Sequence, residues 1–213
     1  NNGSNALPQD TIATPPCFTP GTFVESRQGP VRVERLRPGD EVWTLDHGWQ
    51  ALSWVGHCDV SADLLAANPQ LTPVRIARGA FGPNQPNRDM LVSPQHRILV
   101  RHPAAELVTG EEETLVAALH LVGMPGVSRA ADADWVTYIH LQCAAHEVLS
   151  TDGLLTESYN PGAETAGAFN ATAQAELYAL FPHLAAGSGA TLDAARRVLK
   201  RHEARILHHA IAA

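Results

Sequence analysis

The sequence predicts a mainly β domain followed by a helical C-terminal extension, on two observations. From Cys17 to about Ser158, short runs rich in β-branched and aromatic residues alternate with turn signals such as Pro-Gly-Asp and Asp-His-Gly. After Ser158 the composition shifts towards Ala, Gly and helix-forming residues. With 213 residues, the chain has the length of one ordinary domain that carries an appendage.

The predicted strands begin with a series of closely spaced hairpins. They are TFVES, VRVERL, EVWTL and WQALSWVG, separated by the turns QGP, RPGD and DHG. In the second run, Val31 and Val33 alternate with Arg32 and Glu34, which is typical of a half-buried strand. Further strands are predicted in VRIA, MLVSPQHRILV and WVTYIHLQC. The last of these leads through two alanines into HEVLS, which we interpret as another hairpin.

Three segments have helical features. Residues Glu111 to Met124 are predicted to form a short helix, because three acidic residues lie near its start, where the helix dipole favours negative charge. Ala171 to Phe181 and Leu192 to Ile211 have helical spacing and are separated by the breaker AAGSGA. The last segment is predicted to pack on the β domain or on another copy of the chain. Its apolar stripe consists of Leu192, Val198, Leu199 and Ile206.

The composition argues against several classes of function. There are 15 Lys and Arg residues against 22 Asp and Glu, a net charge of -7, so nucleic acid and anionic membranes are poor partners. No apolar stretch approaches the roughly 20 residues that cross a bilayer, and the N-terminus has no signal-peptide core, so we expect a soluble chain without membrane insertion. Cys17, Cys58 and Cys143 are too widely spaced to indicate a disulfide framework or a zinc site.

Three blocks of sequence resemble those of Hint domains, the fold shared by inteins and the autoprocessing domain of Hedgehog proteins. The blocks are CFTPGTFVESRQGPVRVERLRPGDEVWT, LVSPQHRILV and HEVLSTDGLLTES. In this form they are similar to the bacterial Hint domains of alphaproteobacterial proteins. The resemblance implies a curved, hairpin-rich β domain. It predicts a leader at residues 1–15, a Hint autoprocessing domain at 16–161 and a helical C-terminal extension at 162–213.

The resemblance makes Cys17 the nucleophile that attacks the carbonyl of Pro16, so that Pro16–Cys17 is the scissile bond. A thiolate is nucleophilic near neutral pH, and the departing nitrogen needs a proton donor. His96, in the motif SPQH, is the expected donor, and Ser93 keeps a hydroxyl where the family carries threonine. We expect these side chains and the backbone around Glu157 to meet in one shallow cleft. Without the family context, Cys17 would be interpreted as a small apolar core residue.

The third block departs from the intein pattern at its end. His146 matches a family histidine, and both a role in polarising a carbonyl or positioning the backbone and a purely structural role are open. Inteins end this block in His-Asn, but the corresponding residues here are Glu157 and Ser158. Without the asparagine amide that cyclises, full splicing is not expected. Asn160 precedes Pro161 and is not expected to replace it.

The predicted function is therefore self-processing by an N-to-S acyl shift at Pro16–Cys17, with N-terminal cleavage or acyl transfer. The partner is the chain's own N-terminal flanking polypeptide, and water or an external nucleophile completes the reaction. No small-molecule cofactor is implied. A metal is not expected either, because the adjacent His57 and Cys58 point to opposite faces of a strand. Asp59 is only a nearby candidate for the aspartate with which Hedgehog domains activate sterol, so sterol transfer is not predicted.

An alternative from another class is a Hint-fold module that has lost processing and serves in interaction or export. The ring of Pro16 favours it, because the ring restricts approach to the carbonyl that must be attacked. The family resemblance implies attachment to a secreted bacterial protein, while the sequence itself leaves the compartment undefined. A papain-like protease built on Cys17 and His96 lacks the local cysteine signature of that family.

Overall fold

The structure is a computed structural model of the chain and describes residues 15–160 and 192–211. In these two ranges the strands form a nine-stranded sheet, a three-stranded sheet and a two-stranded ribbon. Fourteen strands can be placed in the described residues, with only short helices between them. A mainly β fold with a C-terminal helix is therefore confirmed. No helix in the described part is long and apolar enough to cross a membrane.

The described strands are short and follow the turn signals of the sequence. They are β1 (Phe23–Ser26), β2 (Gly29–Arg32), β3 (Glu41–Thr44), β4 (Gly48–Ala51), β5 (Trp54–Val60), β6 (Val74–Ile76), β7 (Met90–Val92), β8 (Arg97–Arg101), β9 (Glu113–Ala117), β10 (Val127–Arg129), β11 (Val136–Gln142), β12 (Val148–Thr151), β13 (Leu154–Glu157) and β14 (Arg197–Val198). The α-helices are α1 (Ala62–Ala67), α2 (Pro103–Thr109), α3 (Ala118–Leu121) and α4 (Arg201–Ile211). Two 3-10 helices span Val33–Arg35 and Pro69–Leu71.

Antiparallel hairpins build most of the large sheet, whose main path runs β14-β9-β8-β13-β12-β1-β3-β4, with β2 paired to β1. The predicted alternation in VRVERL holds as far as Arg32, after which Val33 begins a 3-10 helix with its side chain buried. The hairpin of β12 and β13 turns at Asp152 and Gly153, which have φ values of 48° and 78°. This left-handed backbone is the one that a tight two-residue hairpin requires.

The pairing of β11 differs from the predicted hairpin. Instead of pairing with the HEVLS segment, β11 runs antiparallel to β5 over seven residue pairs, from Val136 opposite Val60 to Gln142 opposite Trp54. The HEVLS segment leads into β12, which pairs with β13, β1 and β3. The chain between β11 and β12 therefore passes from the ribbon to the large sheet. This crossing brings β11 beside the start of the described chain, where Phe18 forms a bridge to Ile139.

The predicted helix at Glu111 to Met124 is wrong for most of its length. Residues Glu113–Ala117 form β9, which pairs with β8 over five residues, and only Ala118–Leu121 is helical. The side chains from Thr114 to Ala117 are all buried, so this segment has no solvent-exposed face. A short apolar run of this kind suits a strand covered on both sides, and pairing outweighs the helix-like acidic start.

The C-terminal segment is helical only in its second half. Arg197–Val198 forms β14, which lies parallel to β9, and α4 follows at Arg201–Ile211. Helix α4 packs against α2 and α3 on the β domain. Of the predicted stripe, Leu199 is buried but Ile206 is 43% exposed, and Ala204 and Leu207 supply the buried face of the helix instead. The helix predicted at Ala171 to Phe181 lies outside the described residues.

Neighbouring residues of α4 provide a matched test of this packing. Leu207 is fully buried in the main core, whereas Ile206 is 43% exposed. We expect Leu207→Ala to lower the free energy of unfolding by about 2–5 kcal/mol, since it removes buried methyl groups and leaves a cavity. Ile206→Ala should change it by about 0.5 kcal/mol or less. Urea unfolding of the two full-length variants measures both values, and equal losses would contradict the placement of α4.

Candidate active site

The segment that carries Cys17 is held between two strands. The backbone of Phe18 exchanges hydrogen bonds with Ile139 of β11, with N···O distances of 2.8 and 2.9 Å. On the other side, the N–H of Ser93 donates to the carbonyl of Cys17 at 3.0 Å. Cys17 and Phe18 are both buried. The peptide bond between Pro16 and Cys17 is therefore fixed by backbone pairing before any side chain acts on it.

The hydroxyl of Ser93 links the two residues on either side of Pro16, namely Pro15 and Cys17. Its Oγ accepts a hydrogen bond from the N–H of Cys17 at 2.9 Å and donates one to the carbonyl of Pro15 at 2.7 Å. Ser93 is fully buried, so these contacts are made away from water. The structure thus brings the Ser93 hydroxyl to the amide nitrogen of Cys17. Its catalytic role stays a prediction.

His140 of β11 is the residue at this site that sequence reasoning missed. Its Nδ1 lies 3.0 Å from the carbonyl oxygen of Pro16, and its Nε2 lies 3.6 Å from the Sγ of Cys17. The same Sγ donates to the carbonyl of Pro15 at 2.9 Å. The ring is completely buried between aromatic neighbours: Trp54 is stacked on it with a centroid distance of 6.0 Å, and Tyr159 meets it edge-on at 5.3 Å.

The sequence offered only a weak signal for His140. It stands within a run of four buried residues, Tyr138 to Leu141, in the middle of a predicted strand. A histidine there is ordinarily interpreted as a core residue with satisfied hydrogen bonds. A completely buried polar ring does require a nearby hydrogen-bond partner, however. That partner can be identified only from the tertiary pairing of β11 with the Cys17 segment.

His96 lies on the other side of Phe18. Its backbone N–H closes a turn onto the carbonyl of Ser93, and its ring meets the Phe18 ring edge-on, with centroids 4.4 Å apart. His96 is fully buried, and neither ring nitrogen has a hydrogen-bond partner within the described ranges. Burial lowers the pKa of His96 to about 4, with the carboxylate of Glu157 opposing this shift and Arg97 adding to it. His96 is therefore neutral at pH 7.

His146 is placed at a second polar cluster with Glu157. Its Nδ1 accepts a hydrogen bond from the N–H of Ala195, so its Nε2 carries the proton that is donated to Glu157 at 3.1 Å. Glu157 also accepts from the backbone N–H and the guanidinium of Arg97, each at 2.9 Å. Burial alone would raise the pKa of this carboxyl group, but Arg97 and His146 outweigh it, and the pKa is lowered. His146 thus connects β13 to the C-terminal segment.

The expected shallow cleft is not what the structure has. Cys17, Ser93, His96 and His140 are each 0% exposed. Pro15 and Pro16 are buried as well, and the aromatic neighbours of His140 close the site on the side of β5. The site is therefore an enclosed one. A molecule from solvent reaches it only after a local opening of these covering residues.

No group of three or more His, Cys, Asp or Glu side chains in the described residues is arranged to hold a metal ion. The candidate Asp59 lies on β5, where its carboxylate accepts a hydrogen bond from the hydroxyl of Thr137 at 2.6 Å. The neighbouring Cys58 is half-buried, and burial, with a contribution from Asp59, raises the pKa of its thiol to about 11. This thiol is therefore protonated at neutral pH and unreactive as a nucleophile.

A comparison with protein-family models matches residues 16–163 to the model described as Hint domain. This range is more than half of the chain and starts at the residue before Cys17. The chain belongs to the Hint domain family, whose fold is the hairpin-rich β architecture described above. No curated protein matches the chain.

Several solved structures of inteins and an intein-like domain are similar to the chain. The gp41-1 intein is 12% identical with a TM-score of 0.40, covering 67% of this chain and 98% of its own. The bacterial intein-like domain from Clostridium thermocellum is 12% identical with a TM-score of 0.41, covering 68% and 98%. The DnaB intein from Synechocystis sp. PCC 6803 is 10% identical with a TM-score of 0.39, covering 67% and 98%. No residue role is transferred from them.

The buried, neutral His96 predicts a pH dependence of stability. Its pKa is about 4 in the folded chain and near 6.5 in the unfolded chain, so between these values the unfolded state binds a proton that the folded state does not. Stability is therefore fully present above pH 6.5 and is lost as the pH falls towards 4. The loss between pH 6.5 and 4.5 should be about 2–3 kcal/mol.

Replacement of His96 should remove this part of the pH dependence. Urea unfolding at several pH values should show a flatter profile for His96→Leu than for the wild type between pH 6.5 and 4.5. Ile98→Val, a core substitution on the adjoining strand, should lower stability by about 0.5–1.5 kcal/mol at every pH and keep the wild-type slope. A wild-type slope in His96→Leu would show that His96 is not buried in its neutral form.

Proposed function

We propose that this Hint domain processes itself at the Pro16–Cys17 bond and thereby releases or transfers its N-terminal flank, without full splicing. The observation that carries the proposal is that both polar ends of this one peptide bond are held by buried side chains. The nitrogen donates to the Oγ of Ser93, and the carbonyl oxygen lies within hydrogen-bond distance of His140. The Sγ of Cys17 lies 3.6 Å from the Nε2 of the same histidine.

The reaction begins with attack of the Cys17 Sγ on the carbonyl carbon of Pro16. A carbon–sulfur bond forms, the carbon–nitrogen bond breaks, and the nitrogen of Cys17 takes up a proton to leave as an amine. The product is a thioester between the Pro16 acyl group and Cys17. Water or an external thiol then attacks the thioester carbonyl, which releases residues 1–16 and restores the thiol. The partner is the chain's own flank, and the sequence of steps uses no cofactor.

In this proposal Ser93 and His96 have different roles. Ser93 fixes the nitrogen of Cys17 and the Pro15 carbonyl, and so holds the bond in position for attack. His96 supplies the proton to the departing nitrogen. With a pKa of about 4, only about one His96 in a thousand is protonated at pH 7, so the shift is expected to be slow at neutral pH. His146 acts through Glu157 as a positioning residue.

The complete burial of the site favours a second candidate. A Hint-fold module that no longer processes itself would keep the fold and the site while serving in interaction or export. Cys17 and His96 are both fully buried, and a neutral His96 is a poor acid. The two candidates differ in one observable, which is whether the leader leaves the folded chain. In either case we assign residues 1–15 to a leader, 16–161 to the Hint domain and 162–213 to an extension.

The end of the third block supports cleavage without splicing. The carboxylate of Glu157 is held by Arg97 and His146, and the hydroxyl of Ser158 accepts a hydrogen bond from the backbone of Glu147. The amide side chain of Asn160 makes two hydrogen bonds with the backbone of Leu192. In this arrangement the amide holds the C-terminal segment in place.

The proposal is tested by following release of the leader by mass over time, with excess thiol. Cys17→Ala removes the atom that carries the acyl group, so release should stop. His96→Ala should slow release by about 10²–10⁴-fold, as expected for loss of a proton donor. Ser93→Ala should have a smaller effect, because the hydroxyl positions the bond and is not consumed.

Two results would contradict the proposal. A folded wild-type chain that releases no leader would favour the module that has lost processing. Continued release from Cys17→Ala would show that the cleavage uses other chemistry. Circular dichroism of each variant verifies that a loss of release does not reflect a loss of folding.

The C-terminal flank should stay attached throughout the same incubation. The reason is that Glu157 and Ser158 carry no side-chain amide, and that of Asn160 is engaged by Leu192. Intact-mass measurement should therefore show no fragment that ends at Ser158 or Asn160. Asn160→Ala serves as the control, since it must behave like the wild type if the amide performs no cyclisation. A fragment that appears in the wild type and disappears in this variant would reveal C-terminal cleavage.

A further inference from the structure

We infer that His140 is a catalytic residue for the acyl shift, with one ring nitrogen serving as the base for the Cys17 thiol and the other as the donor to the oxyanion formed at Pro16. The inference rests on the proposed function and goes beyond it, because it names the group that activates the nucleophile. It also explains how attack can begin in an enclosed site without hydroxide from solvent.

The positions of the neighbouring atoms determine the tautomer of His140. A carbonyl oxygen can only accept, so the hydrogen bond of 3.0 Å to Pro16 requires the proton to be on Nδ1. In the neutral ring Nε2 then has a lone pair, and this lone pair faces the Sγ of Cys17 at 3.6 Å. The thiol hydrogen, which now points to the Pro15 carbonyl, has only to rotate to reach Nε2. One ring thus contacts both the attacking sulfur of Cys17 and the carbonyl oxygen of Pro16.

The two contacts act in sequence and the protons balance. The thiol proton passes to Nε2, the thiolate forms its bond to the Pro16 carbonyl carbon, and the π electrons move to the oxygen. His140 is then a cation whose Nδ1–H donates to the oxyanion, and the attraction is stronger than in the neutral ground state. The oxyanion then collapses, and the carbon–nitrogen bond breaks as the protonated form of His96 donates its proton to the nitrogen of Cys17. When water attacks the thioester, it returns a proton to His96, and the departing thiolate recovers its own from Nε2.

The surroundings of His140 are built to keep the ring in this orientation. In the β5–β11 ribbon, Gly56 is directly opposite His140. The ring of Trp54 lies over Gly56, so closely that a Cβ atom there would overlap the Trp54 ring. Trp54 in turn stacks on His140, and Tyr159 packs against the pair. A glycine opposite the histidine therefore makes room for the aromatic cover that fixes the imidazole.

Two substitutions separate the role of His140 as a base from its role as a hydrogen-bond donor to the oxyanion. His140→Ala removes the base and the donor, and leader release should fall by at least about 10²-fold at pH 7. His140→Asn keeps an N–H near the position of Nδ1 but has no base. It should therefore be slower than the wild type and faster than His140→Ala. Its deficit against the wild type should shrink as the pH rises from 7 to 9, since solvent then deprotonates the thiol.

Controls distinguish this inference from the proposed function. His57→Gln changes an exposed histidine on the paired strand β5 and should release leader at the wild-type rate. If the wild type and His140→Ala release leader equally fast, the inference about His140 fails while the proposed function stands. If the folded wild type releases none, the proposed function fails, and the catalytic role of His140 fails with it.

A measurement on an uncleaved chain checks the tautomer separately from activity. In Cys17→Ala labelled with ¹⁵N in its histidines, the His140 ring should show a protonated Nδ1 and an unprotonated Nε2 at pH 7. The Pro16 carbonyl is retained in this variant, so the hydrogen bond that fixes the tautomer is retained too. A ring protonated at Nε2 alone would overturn the inference, even if His140→Ala proved to be inactive.

Discussion

The two hydrogen bonds of the Ser93 hydroxyl are the constraint on which the site depends. They join the N–H of Cys17 and the carbonyl of Pro15 to the loop between β7 and β8, in a place that water does not reach. A buried N–H that loses its partner costs about 1–3 kcal/mol, so the segment has little freedom to leave this position. With the nitrogen fixed, the Pro16 carbonyl is directed at β11, and His140 is the polar group that meets it there.

Three buried histidines near the site differ because their neighbours differ. The His96 ring packs against the Phe18 ring, and desolvation keeps it neutral despite the nearby carboxylate of Glu157. His140 has a carbonyl on one side and a thiol on the other, so its ring is oriented by groups of the reacting bond. His146 lies between a backbone N–H and a carboxylate, which defines one tautomer and a structural contact. The same side chain thus has three different environments within one small domain.

Much of the fold could be predicted from the sequence, because turn residues define most hairpins locally. The SPQH motif and Cys17 identified two residues that do lie together, Cys17 and Ser93. His140 could not be found in this way, since its partners come from residues more than a hundred positions earlier in the chain. The predicted helix at Glu111 to Met124 failed for a related reason, because the pairing of β9 with β8 is a tertiary contact that outweighs local propensity.

The two-residue strand β14 affects how copies of the molecule can associate with one another. Without it, β9 would lie at the margin of the large sheet, and its unpaired amides would form a template to which another polypeptide could add. Arg197 and Val198 occupy this margin beside Thr114 and Leu115, and α4 begins three residues later. Because this edge of the sheet is short and is followed at once by a helix, it offers too few backbone N–H and C=O groups for a strand of another chain to pair with. The C-terminal segment therefore protects this side of the molecule against self-association into extended β assemblies.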